Sequence, residues 1–153
     1  MKDYYKKQFE FNDWANSAII DHLLEQTDVP EKTVKLISHI ISAQDIWFER
    51  VKKNRDYNIS PWDEYSLQEC KILSPQSTEN WLSFIKRTSE KNLEEVCSYF
   101  DTKGDYHETG IPDIITHLFN HSMYHRGQIN QLLSQAGLKP VSIDYIIYVR
   151  QPG

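Results

Sequence analysis

A chain of 153 residues is long enough for one domain with its own hydrophobic core, and a net charge of −5 with a pI of about 5.6 gives it no reason to seek nucleic acid or an anionic membrane surface. Apolar residues at 39% against 25% charged describe a folded chain, not a disordered one. No apolar run nears the roughly 18 residues of a spanning helix.

The N-terminal stretch MKDYYKKQFEFNDW carries charge without the apolar h-region of a signal peptide, so a cytoplasmic protein is expected. Cys70 and Cys97 form no CxxC and are expected as free thiols in a reducing compartment, not as metal ligands. No repeat, low-complexity stretch or linker divides the chain, so residues 1–153 are expected to form a single domain.

Glycine is scarce and strand-like alternation rare, which favours helices. The first is expected over residues 3–26, where Phe11, Ala15, Ala18, Ile19, His22 and Leu23 recur at helical spacing. The TDVPEK stretch then stops one helix and starts another, with Pro30 in the first turn and Asp28 as N-cap. The second helix should reach about residue 53, with Leu36, Ile40, Ala43, Trp47 and Val51 along one side. A polar, turn-rich loop follows; its Trp62 and Tyr65 are read as ordinary packing, with covering a pocket as the alternative.

Ser74-Pro75 reads as an N-cap and first helical residue, which sets a third helix at residues 75–95 with Trp81, Phe84, Ile85, Thr88 and Leu93 inward. The SYFDTKGDYHETG stretch suggests a short extended turn. Pro112 opens a fourth helix that ends near residue 136 at Gly137, and the tail holds a short helix near 142–148. Four amphipathic helices joined by loops argue for an all-α four-helix bundle. The short first connection predicts that the first two helices are antiparallel neighbours, and the longer second connection permits a crossover.

The fourth helix carries the chemistry. At about 100° per residue, Ile114, Leu118, His121, His125, Ile129 and Leu132 fall within a sector of about 80°. His121 and His125, four apart, therefore point from one face and can share a metal ion. His117 lies at the edge of that face, as a further ligand, a partner of a ligand, or a surface residue. The best donor elsewhere is His39, on the side of the second helix that carries Leu36, Ala43 and Ile46. Three neutral imidazoles around a divalent ion leave positions open, which suits catalysis better than structure. A lone HxxxH pair is more often core than ligand, so spacing alone leaves a packed, metal-free reading open.

At these residues the chain resembles the DinB-like (DinB/YfiT-like) family. The match is most specific over HLFNHSMYHRGQINQLLSQAGLKP, residues 117–140, where three residues separate a histidine from His-Arg-Gly-Gln. DWANSAII in the first helix, LISHIISAQDIWFERV in the second and IDYIIYV in the tail are similar to the family's other segments. The resemblance implies a four-helix bundle of up-down-down-up course, a three-histidine metal site at His39, His121 and His125, and a homodimer. Zinc or nickel comes first as the metal, with iron, cobalt or manganese also suited to imidazole.

Among the remaining motif residues, mid-helix Gly127 costs about 1 kcal/mol against alanine, for which close approach of a neighbouring helix would compensate. Arg126 is read as a salt bridge or cap on another helix. Gln128 is a candidate to hydrogen-bond a ligand or bound water, with Asn120 and Asp45 behind it. Met123 and Phe119 form a second apolar strip, facing another helix or another subunit. Two functions fit. One is a metal-dependent enzyme, either a hydrolase or a transferase acting on a low-molecular-weight thiol, with His117 as first candidate for general base, then Tyr124. The other is a metal or small-molecule binding protein of a stress response, without turnover. No DNA-reading motif or basic stripe is present.

Overall fold

The structure, a computed structural model, describes residues 1–152. It is mostly helical. Four long helices, α1 (Lys2–Glu25), α2 (Glu31–Val51), α3 (Leu67–Arg87) and α5 (Ile111–Gln135), supply the core. Short α4 (Glu90–Leu93) and the antiparallel pair β1 (Val96–Phe100) and β2 (Tyr106–Gly110) lie between α3 and α5, and α6 (Tyr145–Val149) closes the chain. The extended turn expected after α3 is thus a two-stranded hairpin. No helix among the described residues is long and apolar enough to cross a membrane.

α3 corrects the sequence reading at both ends. It starts at Leu67, where Ser66 accepts from the Glu69 amide and Glu69 reaches back to the Ser66 amide, closing a capping box. Pro75 sits inside the helix, and Ser74 caps nothing: its hydroxyl is buried without a partner. The helix ends at Arg87, and Ser89 then caps α4 through the Asn92 amide. At the start of α2 the N-cap position is Pro30 and not Asp28; the Thr33 hydroxyl donates to the Pro30 carbonyl at 2.6 Å. The end of α5 is as expected. Gly137 takes φ of +74°, and the amides of Gly137 and Leu138 return to the carbonyls of Ser134 and Leu133.

The same paired return ends α2, from Lys53 to Arg50 and from Asn54 to Glu49. Here the left-handed residue is Lys53, at φ of 63°. A side chain in that conformation costs about 1–2 kcal/mol that glycine avoids.

Helix neighbours also differ from expectation. α1 packs against α3 and, less extensively, α5; α2 packs against the same two. α1 and α2, though joined by a short turn, share little surface. Loop length limits how far apart two helices start, not which faces they bury. Contacts from α1 to α3 climb one helix as they descend the other, through Lys2–Lys86, Phe9–Trp81, Asp13–Thr78 and Asp21–Lys71. From α2 to α3 they climb both, through Ser38–Cys70, Gln44–Ser77 and Phe48–Phe84.

The core has two apolar halves. Tyr5, Phe9, Trp81, Ile114 and Leu118 belong to one; Ile19, Ile20, Leu36, Ile40, Ile129 and Leu133 belong to the other. Between them the four helices contribute buried polar side chains: Asn12 and Asn16, Gln44, Ser77 and Thr78, Ser122 and Arg126. The candidate site opens from this waist.

Candidate metal site

His39 of α2 and His121 and His125 of α5 meet at the contact between those helices. Their ring centroids stand 4.5 to 4.8 Å apart. One nitrogen from each lies within 4.8 Å of the others. The i, i+4 spacing on α5 sets two of the rings edge to face, and the packing of α2 on α5 delivers the third.

The remaining nitrogens decide what those atoms offer. His39 Nδ1 lies 2.5 Å from the Pro61 carbonyl, which can only accept, so Nδ1 donates and Nε2 presents a lone pair. His125 Nδ1 donates to Gln128 Oε1 at 2.7 Å, leaving its Nε2 equally free. These are the outer hydrogen bonds that orient a metal-ligating imidazole. His121 Nε2 faces His39 Nε2 at 2.9 Å, and His121 Nδ1 is buried without a partner. Without a cation, His121 must give a proton to His39 and leave Nδ1 an orphaned acceptor. A cation between the two Nε2 atoms removes that conflict, because Nδ1 can then carry the proton. Zn–N bonds run about 2.0–2.1 Å, so one ion would draw the three nitrogens closer together than the 4.8 Å over which they spread. The donor set fits a divalent transition metal.

The site favours neutral rings. Burial, reinforced by His125, His39 and His117, lowers the His121 pKa to about 3. Burial also lowers that of His39, against the opposing bond to Pro61. Neutral imidazole is the form that binds metal.

The other candidates separate. Gln128 lies against His125 and accepts from its Nδ1. His117 lies outside the cluster, its ring 5.4 Å from His121 and 5.7 Å from Trp47. Tyr124 and Asn120 are exposed. Asp45 bonds to Ser77 and not to a histidine; burial raises its carboxyl to about 6. Phe119 turns inward onto Phe9 at 4.9 Å, while Met123 is exposed.

Arg126 is neither a salt bridge nor a cap. It is 2% exposed and donates to Asn12 and Asn16 of α1. Asn12 donates on to Gln44 at 3.1 Å, and Gln44 to Ser77 at 3.0 Å, so the chain of bonds crosses the core. Burial lowers the guanidinium pKa to about 10. The two asparagines were not legible as partners, although their i, i+4 placement on an apolar face was a signal.

Gly127 overturns its expectation: a Cβ there meets nothing within 4 Å. Gly127→Ala should therefore raise stability by about 0.5–1 kcal/mol, read as a higher urea midpoint; a lower midpoint would restore the close-approach account.

Trp62 was read as ordinary packing, and that too needs correction. Its ring stacks on His39 at 3.8 Å and 5°, yet Trp62 is 55% exposed. The loop thus supplies both the carbonyl that orients His39 and the ring that covers it.

The DinB family model matches residues 1–152. The chain belongs to the DinB family. Two Bacillus subtilis (strain 168) proteins are similar to it over most of their length. "Protein DinB" is 23% identical over 166 residues, covering 97% of this chain and 95% of the relative. "Uncharacterized protein YizA" is 23% identical over 153 residues, covering 92% of each. Within this DinB-family chain, the WAN of α1 and the HRGQ of α5 are one contact, since Asn16 is the residue that Arg126 binds.

Proposed function

We propose that this DinB-family chain is a metal-dependent enzyme in which His39, His121 and His125 hold one divalent transition ion, zinc or nickel first. The observation that carries the reading is the tautomer constraint: Pro61 and Gln128 hold the Nδ1 protons, so the Nε2 lone pairs of His39 and His125 face a common point beside His121. When bound, the ion supplies Lewis acidity to a water or thiol brought to it. The chain's residues supply position. Pro61 and Gln128 fix two rings, Trp62 limits water over His39, and His117, whose ring is 5.4 Å from that of His121, is the first candidate to exchange a proton with a substrate.

Hydrolysis of an activated ester or amide and transfer of a low-molecular-weight thiol to an electrophile are the two reaction classes. The fold that frames them is taken as one four-helix bundle over residues 1–153 with an up-down-down-up course, which the order of the interhelical contacts supports. Exposed Met123 and Tyr124 support a homodimer interface on α5.

A non-catalytic metal or small-molecule binding protein of a stress response is the second reading. What favours it is that the cluster contains no carboxylate to act as general base.

Elemental mass spectrometry of protein purified without an affinity tag tests the site. About one transition metal per chain is expected, lost in both His39→Ala and His125→Ala. Gln128→Ala should keep a folded site with about 10–100-fold weaker affinity. A wild-type chain that takes up no metal after incubation with zinc or nickel would defeat the assignment. Turnover on a thiol with an electrophile, or on an activated ester, then separates enzyme from binder.

A further inference from the structure

A cavity of about 410 Å³ opens where the end of α2, the loop after it and β1 meet. Its walls include Arg50, Lys53 and Arg55 together with Tyr57, Tyr99 and Phe100, and no carboxylate. That is three cations on one wall of a chain whose net charge is −5. Among the described residues none of the three forms an ion pair.

Arg50 is built in. Its guanidinium lies 4.6 Å from the Trp47 ring centroid and 4.8 Å from that of Tyr99. Nε donates to the Tyr57 hydroxyl and Nη2 to the Phe100 carbonyl, both at 3.3 Å. Two of its five N–H groups are thus used to aim it, and the other three meet no protein acceptor among the described residues. Arg55 lies over Phe100, which is itself 50% exposed.

Lys53 supplies an independent observation. It occupies the left-handed position that ends α2, where glycine is the unstrained choice. A strained non-glycine residue at a cavity wall is a pointer to function, because its side chain brings something that glycine cannot. Here that is a third positive charge on the cavity.

We propose that this cavity binds an organic anion: a phosphate or carboxylate group borne on a flat ring. The anionic group meets Arg50, Lys53 and Arg55, and the ring lies against Tyr57, Tyr99 and Phe100. Planar guanidinium groups suit both oxyanions, and an aimed one loses less freedom on binding. This site is separate from the histidines and does not rest on their binding a metal.

The test is an NMR titration of the full chain at low salt with phenyl phosphate, benzoate, inorganic phosphate and phenol. The reporters are the Arg50 Nε–H and the amides of residues 53–57 and 98–100. Phenyl phosphate, benzoate or both should move these signals saturably, more weakly as salt rises. Phenol should not move them, and inorganic phosphate should bind at least about threefold more weakly than phenyl phosphate. Lys53→Gly and Arg55→Gln should each weaken binding by about three- to tenfold. Lys53→Gly should also unfold at a higher denaturant concentration than wild type, which shows that its lost affinity is not lost folding. The proposal is overturned if neither ring-borne anion moves the reporters, if phenol moves them as strongly, if both variants bind like wild type, or if inorganic phosphate binds as well as the ring-borne anion that does bind.

Discussion

Adding zinc at neutral pH is expected to raise the unfolding free energy of the wild-type chain by about 4 kcal/mol once the free ion reaches a thousandfold excess over its Kd. His121→Phe should show no such rise. His121 is the ligand whose metal-free state is least comfortable, with one nitrogen orphaned and the other facing His39. The same residue sets an acid sensitivity. Its pKa is about 3 in the fold against an ordinary value of 6.5. Between those values the unfolded chain binds a proton that the native chain does not, so stability rises with pH there and is complete above 6.5. Acidification from pH 7 to 4 therefore costs the metal-free wild type stability that the phenylalanine variant keeps. Solvent reaches part of the ring, so the difference should be ~1–3 kcal/mol. Asp45, raised to about 6 from 3.8, acts with the opposite sign between those two values in both proteins and cancels in the comparison. Chemical denaturation at several pH values with and without zinc reads both effects. Parallel pH profiles for the two proteins would refute the account of His121.

Arg126→Ala should destabilise the chain by about 3–5 kcal/mol. The loss has two parts, the packing of a buried side chain against α1 and two stranded acceptors, Asn12 Oδ1 and Asn16 Oδ1. Removing a buried cation also relieves a desolvation cost, since the guanidinium has no carboxylate among its hydrogen-bond partners. The stranded acceptors outweigh that relief unless they are removed as well. Arg126→Met combined with leucine at Asn12, Asn16 and Gln44, the last because loss of Asn12 would otherwise strand the Gln44 oxygen, should thus recover most of the lost stability. Urea midpoints of the two variants decide it. A single alanine variant within about 0.5 kcal/mol of wild type would mean that solvent reaches the asparagines once the arginine is gone.

What was legible in the sequence follows how local the cause is. α5 was placed almost to the residue, because Pro112 and Gly137 mark its ends and the apolar stripe runs unbroken between them. His121 and His125 share a face by spacing alone. α3 was misplaced because Ser74-Pro75 imitates a helix start, while Ser66 and Glu69 hold the real one a full two turns earlier. His39 could be named as the best remaining donor, but its orientation rests on the Pro61 carbonyl, 22 residues away. A backbone carbonyl has no sequence signature, so that bond was not visible, while Trp62 showed only as a loop ring that could cover a pocket, without its partner His39. The Arg126 contacts span 110 and 114 residues and needed the packing of α1 on α5 to appear.

The placement of α1 and α2 bears on how the chain folds. Those two helices are made first and share little surface, so they offer no early helical hairpin to nucleate folding. α1 finds its main partner only when α3 has formed, 50 to 84 residues further along at the contacts named above. The contacts that define the core are therefore largely non-local for a helical protein, and the search to close them should make folding slower than in bundles of consecutive hairpins. On the ribosome, α1 waits with Phe9 uncovered until Trp81 emerges, and with Ile19 and Ile20 lacking their partners Cys70 and Ile129 until α3 and α5 follow.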